Sequence, residues 1–122
     1  MKILLVEDDQ AIRETLILIL KAEGFVVETA TSALTAIVAF TADRPDLILL
    51  DWLLEDGEAK PILKHVQASQ VPVILLTAAS KAESIVEAEK IKYLLKKPFD
   101  IEQLIQILQD ALKAATETRD SA

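Results

Sequence analysis

The sequence predicts an α/β domain built on a parallel sheet of five strands with helices on both faces. Three observations carry that expectation. Five short runs rich in Ile, Leu and Val recur along the chain, at Ile3–Val6, Phe25–Val27, Leu47–Leu50, Val71–Leu76 and Tyr93–Leu95. The segments between them carry apolar residues at helical spacing, so strand and helix alternate five times. The runs themselves, Leu47–Leu50 above all, are continuously apolar, which suits strands buried on both sides. A length of 122 residues closes one sizeable core.

The elements follow in order. After the first run, Ile12, Leu16, Ile19 and Leu20 form one stripe and Arg13, Glu14 and Lys21 the opposite face of a helix. Gly24 stops it before the second run. Ser32 caps a second helix carrying Leu34, Ile37, Val38 and Ala39, and Pro45 marks the turn into the third run. Ile62, Leu63 and Val66 mark a third helix, and Ile85, Val86 and Ala88 a weaker fourth. Pro72 falls at the start of the fourth run, where a missing N–H is tolerated. Asp100 is the expected N-cap of a fifth helix along Ile101, Leu104, Ile105, Leu108 and Leu112. From Ala114 the residues turn small and polar and read as a frayed tail. No linker, repeat or second domain stands out.

Composition narrows the function. A net charge of −7 argues against direct nucleic-acid binding, which needs basic side chains to displace counterions. The absence of cysteine removes disulfides, thiolate metal sites and thiol nucleophiles. With only two glycines the chain has no Gly-rich nucleotide loop. The amino-terminal stretch lacks the pattern of a signal peptide, no apolar run reaches membrane-spanning length, and a cytoplasmic location is expected.

In an open parallel sheet, ligands bind beyond the carboxyl ends of the strands. The first run is followed there by Glu7-Asp8-Asp9, the third by Asp51, the fourth by Thr77 and the fifth by Lys97-Pro98. Singly each has an ordinary explanation: Asp9 caps a helix, Asp51 starts one, Thr77 ends a strand, Lys97 sits in a turn. Jointly they place several carboxylates, one hydroxyl and one ammonium on a single rim. Clustered carboxylates repel one another unless a cation neutralises them. Lys97 supplies one positive charge, and a hard divalent ion such as Mg2+, with its preference for oxygen ligands, would make up the difference.

With those residues in view, the chain resembles the receiver domains of two-component response regulators over nearly its whole length. The motifs are K-I-L-L-V-E-D-D at 2–9, P-D-L-I-L-L-D-W at 45–52, P-V-I-L-L-T-A at 72–78 and K-P-F at 97–99. The resemblance implies a flavodoxin-like, doubly wound sheet of strand order 2-1-3-4-5 over residues 1–115, with 116–122 a polar tail. It implies that Asp51 accepts a phosphoryl group from a sensor histidine kinase or phosphotransfer protein. Mg2+ would be held by Asp8, Asp51 and the backbone carbonyl of Leu53, with Glu7 reaching it through water. Thr77, the Ala78 N–H and Lys97 would stabilise the phosphoryl group and report its arrival, and Pro98 is the candidate for a cis turn. The implied output is a switched protein-interaction surface with a downstream protein partner, and a phosphorylation-dependent homodimer is within the family's repertoire. No enzymatic activity is expected beyond the domain's own phosphorylation and dephosphorylation.

The chain departs from the family pattern in places. After Asp51 comes W-L-L-E-D-G, without the usual proline and with Gly57 early. Asp51, Thr77 and Lys97 stand closer together in sequence than is usual, so shortening is expected around the third and fourth helices. Leu94 occupies the position three before Lys97 where the family often has an aromatic, and Tyr93 beside it should face the other side of the sheet. Leu53 and Ala79 flank the phosphoryl site, and neither side chain can hydrogen-bond an attacking water. The aspartyl phosphate is therefore expected to hydrolyse slowly; a lifetime of seconds without a phosphatase, followed by loss of radiolabel, would contradict this.

Competing readings have their own signatures. A pseudo-receiver would keep the fold as an interaction module without phosphorylation, and a phospho-aspartate hydrolase would want an acid at position 53, where Leu53 stands. His65, the only histidine, reads as a surface residue on the third helix; Trp52 either flanks the site or covers apolar surface; and the charges of 83–92 read as a solvated helix face.

Overall fold

The computed structural model describes the backbone of residues 1–121 and the side chains of residues 1–117. In chain order the elements are β1 (Lys2–Val6), α1 (Gln10–Ala22), β2 (Val26–Ala30), α2 (Ala33–Ala42), β3 (Leu47–Leu50), β4 (Leu53–Leu54), β5 (Gly57–Glu58), α3 (Lys60–Val66), β6 (Val73–Thr77), α4 (Ala82–Ala88), β7 (Tyr93–Lys96) and α5 (Ile101–Ser121). Five strands form one parallel sheet in the order β2-β1-β3-β6-β7, the expected 2-1-3-4-5 arrangement, and β4 and β5 pair separately as a small antiparallel hairpin.

Strand alternation divides the core into two layers. Ile3, Leu5, Leu47, Leu49, Ile74 and Leu76 face α1 and α5, meeting Leu16, Leu20, Leu104 and Leu108. Leu4, Val6, Ile48, Leu50 and Leu75 face the other way and meet Ala36, Phe40, Ile62 and Leu63 of α2 and α3. All these strand residues are buried, which is why the inner strands read as unbroken apolar runs.

The caps expected from sequence are present. Asp9 Oδ1 accepts the Ile12 N–H at 2.9 Å. Ser32 and Thr35 form a reciprocal capping box at α2. Asp100 and Gln103 do the same for α5, at 2.8 and 3.0 Å. Gly24 takes φ +90° just past α1, a conformation that favours glycine.

Several boundaries differ from expectation. β2 runs to Ala30 rather than Val27: it is an edge strand, half solvated, so Glu28 and Thr29 belong to it although its apolar content ends at Val27. β6 begins at Val73, because Pro72 has no N–H to give the ladder, though its carbonyl still accepts the Ile48 N–H at 3.0 Å. The W-L-L-E-D-G stretch, unassigned from sequence, forms the β4–β5 hairpin, with Gly57 at φ +117°. The helices α3 and α4 are seven residues each, against 13 for α1. The supposed frayed tail continues α5 as helix through Ser121, since its Ala, Glu and Arg residues are good helix formers; Ala122, and the side chains from 118 on, lie outside the described residues.

At the rim opposite the acidic residues, Lys2 ties three elements together. Its ammonium lies 2.8 Å from Glu28 Oε1 and 2.7 Å from Asp43 Oδ2, and its backbone N–H donates to Asp46 Oδ2 at 2.8 Å. These carboxylates hold the Lys2 ammonium above its usual range, the Asp43 hydrogen bond first. The Met1 carbonyl accepts the Val26 N–H at 2.9 Å, so the sheet begins at the first residue.

Candidate functional site

The sheet's hydrogen bonding runs one residue past the strands and so fixes the site. The Glu7 N–H donates to the Ala30 carbonyl, the Asp51 N–H to the Val6 carbonyl and the Lys97 N–H to the Thr77 carbonyl, each at 3.0 Å. Glu7, Asp51 and Lys97 are thereby carried on backbone that the strands hold rigid.

Glu7, Asp8 and Asp51 come together: one carboxylate oxygen from each lies within 4.8 Å of the others. Glu7 and Asp51 are buried, while Asp8 is exposed at the mouth. Lys97 Nζ lies 2.5 Å from Glu7 Oε1 and 3.0 Å from Asp51 Oδ2, bridging the two buried acids. Burial disfavours its charge, yet the hydrogen bonds and charges of Glu7 and Asp51 outweigh that and hold the ammonium above its usual range. Burial also pushes the Glu7 carboxyl up to about 7; Lys97 pulls it down and the neighbouring Asp51 pushes it further up. The single ammonium thus leaves the acids short of positive charge, and hard oxygen donors with one open side fit a divalent cation.

Arg13, read from sequence only as the polar face of the first helix, also serves the site. Its Nη1 donates to the carbonyls of Glu7 and Asp8 at 3.1 and 3.3 Å, clasping the acidic turn from α1. A second supporting bond runs from the Asp9 N–H to Glu7 Oε2 at 3.3 Å. Nothing in the sequence pattern distinguished Arg13 from an ordinary solvated arginine.

Thr77 is buried at the end of β6, next to β3, and its Oγ1 accepts the Ala79 N–H at 3.2 Å; Ala78 between them is exposed. The Lys97–Pro98 peptide bond is cis. Leu94 packs on the α2–α3 side and Tyr93 on the α1–α5 side, the opposite orientations that strand alternation implied. Leu53 has its side chain exposed. Trp52 is buried in the α2–α3 layer with its Nε1 donating to Glu58 Oε2 at 3.2 Å, so covering apolar surface is its structural role. His65 is exposed, edge-on to Phe40 at 5.7 Å between ring centroids. Of the 83–92 charges, Glu83 pairs with Lys96 of β7.

A family model described as response regulator receiver domain matches residues 3–109, from the second residue of β1 into α5. The chain belongs to this family. Among relatives of this receiver domain, the transcriptional regulatory protein CseB of Streptomyces coelicolor is 36% identical over 115 residues, 91% of this chain and 49% of CseB. The crystal structure of NtrX from Brucella abortus matches 98% of this chain with TM-score 0.89 at 28% identity, over 28% of the NtrX chain. A CheY-like receiver domain protein from Methanospirillum hungatei matches 96% of this chain and 97% of its own, with TM-score 0.87 and 25% identity. The receiver domain thus spans about half the length of CseB. No helix among its described residues is long and apolar enough to cross a membrane.

Proposed function

We propose that this receiver domain is a Mg2+-dependent phosphoacceptor, taking a phosphoryl group on Asp51 from the phosphohistidine of a sensor kinase or phosphotransfer protein. The observation that carries the reading is the bridge from Lys97 to Asp51 and Glu7, with Asp8 beside them at the mouth of the same acidic group. Asp8, Asp51 and the Leu53 carbonyl would hold the metal, and Glu7 would act behind them. Bound there, the ion would neutralise charge on the phosphoryl oxygens.

The rest of the chemistry belongs to the chain. An Asp51 carboxylate oxygen forms the new P–O bond as the P–N bond to the donor imidazole breaks, and the electron pair returns to the ring nitrogen. Lys97, already 3.0 Å from Asp51, is positioned to pair with a phosphoryl oxygen. The buried Thr77 exchanges its bond to Ala79 for one to the phosphoryl group, and the adjoining Ala78 N–H assists. That exchange moves the loop between β6 and α4 and with it a surface for a downstream protein partner. The domain acts in the cytoplasm, makes no nucleic-acid contact of its own, consistent with its −7 charge, and catalyses nothing beyond its own phosphorylation and dephosphorylation.

The test is a titration with beryllofluoride and Mg2+ followed by Trp52 fluorescence, with Asp51→Asn as control. A saturable, Mg2+-dependent change in the wild type that vanishes in the variant is the expected result. A folded wild type that neither responds nor binds Mg2+ would sink the proposal and favour a phosphorylation-independent interaction module.

A further inference from the structure

We propose that Asp56 is a positioning residue for the phosphoacceptor loop, fixing the main chain at Leu53 by anchoring the β4–β5 hairpin to the first turn of α2. The inference rests on the reading of the Asp51 neighbourhood as a Mg2+ site and adds to it a support that the sequence did not announce.

The hairpin follows Asp51 directly, and its ladder has only two pairs, Leu53 with Glu58 and Leu54 with Gly57. A ribbon that short does not hold its own shape in water. It needs ties at both ends. At its base the Ala59 N–H donates to the Trp52 carbonyl at 2.8 Å, Trp52 Nε1 bonds Glu58, and the buried Leu54 side chain enters the α2–α3 layer. At its tip the ties are hydrogen bonds to carboxylates. Asp56 Oδ1 accepts the Ala33 N–H at 2.9 Å and Oδ2 accepts the Leu34 N–H at 3.2 Å, while Thr31 Oγ1 donates to Glu55 Oε1 at 2.9 Å.

Those two amides are orphan donors of the first turn of α2. The local cap, Ser32, satisfies the Thr35 N–H and leaves Ala33 and Leu34 to a distant partner. A carboxylate there also meets the positive end of the helix dipole. The bonds hold the Asp56 carboxyl below its usual range, the one from Ala33 first. Asp56 is three residues from Leu53 and tied to a different element, so its two bonds restrain the short hairpin that carries the Leu53 main chain beside Asp51. It touches neither metal nor phosphoryl group and acts only through the hairpin.

Two measurements on the whole chain test this. Amide hydrogen exchange at Ala33 and Leu34 reports the tie itself, and calorimetric titration with MgCl2 reports its effect on the site. Asp56→Ala is expected to speed exchange at both amides and weaken Mg2+ binding roughly ten-fold, the low end for loss of an outer support of a metal ligand. Asp56→Asn keeps one acceptor oxygen and so one of the two bonds, and turns its NH2 toward the other donor; its exchange and affinity should fall between those of the wild type and Asp56→Ala. Wild-type affinity in Asp56→Ala despite faster exchange at Ala33 and Leu34, or weakened binding with exchange at both amides unchanged, would overturn the proposal while leaving the phosphoacceptor reading intact. Absence of Mg2+ binding by the wild type, with Ala33 and Leu34 still protected, would overturn both.

Discussion

Replacing Lys97 with Met should destabilise the metal-free protein by about 3 kcal/mol, the low end of the range for removing one partner from a buried ion pair. The ammonium is the only described cation bonded to the buried Glu7 and Asp51 carboxylates, and its side chain is 14% exposed. Its removal leaves two buried carboxylates without the ammonium that bridged them. Glu7 then has one escape, which is to take up a proton, and this sets the pH dependence. Its folded-state pKa is already raised, so its contribution to stability is fully present below about 4.5 and is lost as pH rises through about 7. The variant raises that carboxyl further, so its deficit should be smaller at pH 5 than at pH 8 when urea unfolding is followed in EDTA. Adding Glu7→Gln to Lys97→Met should recover most of the loss, because the double variant buries one charge rather than two. An equal deficit at both pH values would show that Lys97 acts through packing instead. In the phosphoryl transfer proposed above, the same substitution should slow uptake on the order of 10²-fold, the usual penalty for removing one charge-stabilising donor.

Leu49→Ala should cost about 3 kcal/mol and lower Tm by roughly 10 °C, within the range for a fully buried leucine that leaves a cavity. Leu49 has 0% exposure at the centre of β3, the middle strand of the sheet, and packs in the layer shared with α1 and α5. The surrounding strands are fixed by hydrogen bonds on both sides and cannot collapse into the space. Val26→Ala is the matched comparison. Val26 is 64% exposed on the edge strand β2, so its truncation should change stability by less than about 1 kcal/mol. Thermal unfolding of the two variants side by side checks both. Similar losses would mean that the edge strand contributes to the cooperative core far more than its exposure implies.

The layout of the site was legible because each functional side chain lies within two residues of the end of an apolar run. Asp8, Asp51 and Thr77 could be placed on one rim once the runs were read as parallel strands, and the sheet indeed aligns their strand ends. Lys97 could be placed there too, but its bridging of Glu7 and Asp51 could not, since bonds between residues 90 and 46 positions apart leave no periodic trace. Glu7 could likewise be placed on the rim, but its complete burial could not be read from an acid that simply follows an apolar run. The hairpin was missed because a two-residue ladder carries too few positions for alternation to register, and Trp52 was ambiguous for the same reason. The Arg13 clasp and the Asp56 tie share a cause: both are charged side chains whose partners are backbone groups of another segment. Hydrophobic periodicity says nothing about such partners.

The anchoring of the first two residues has a practical consequence. Met1 and Lys2 are bonded into the sheet at the amino ends of its parallel strands, one strand length, about 16 Å, from the acidic mouth. A label or surface tether attached at the amino terminus therefore leaves the molecule on the far side from Asp51. A chain immobilised this way points its acidic rim at the solution, so a kinase or phosphotransfer protein can be assayed against it without the support blocking access.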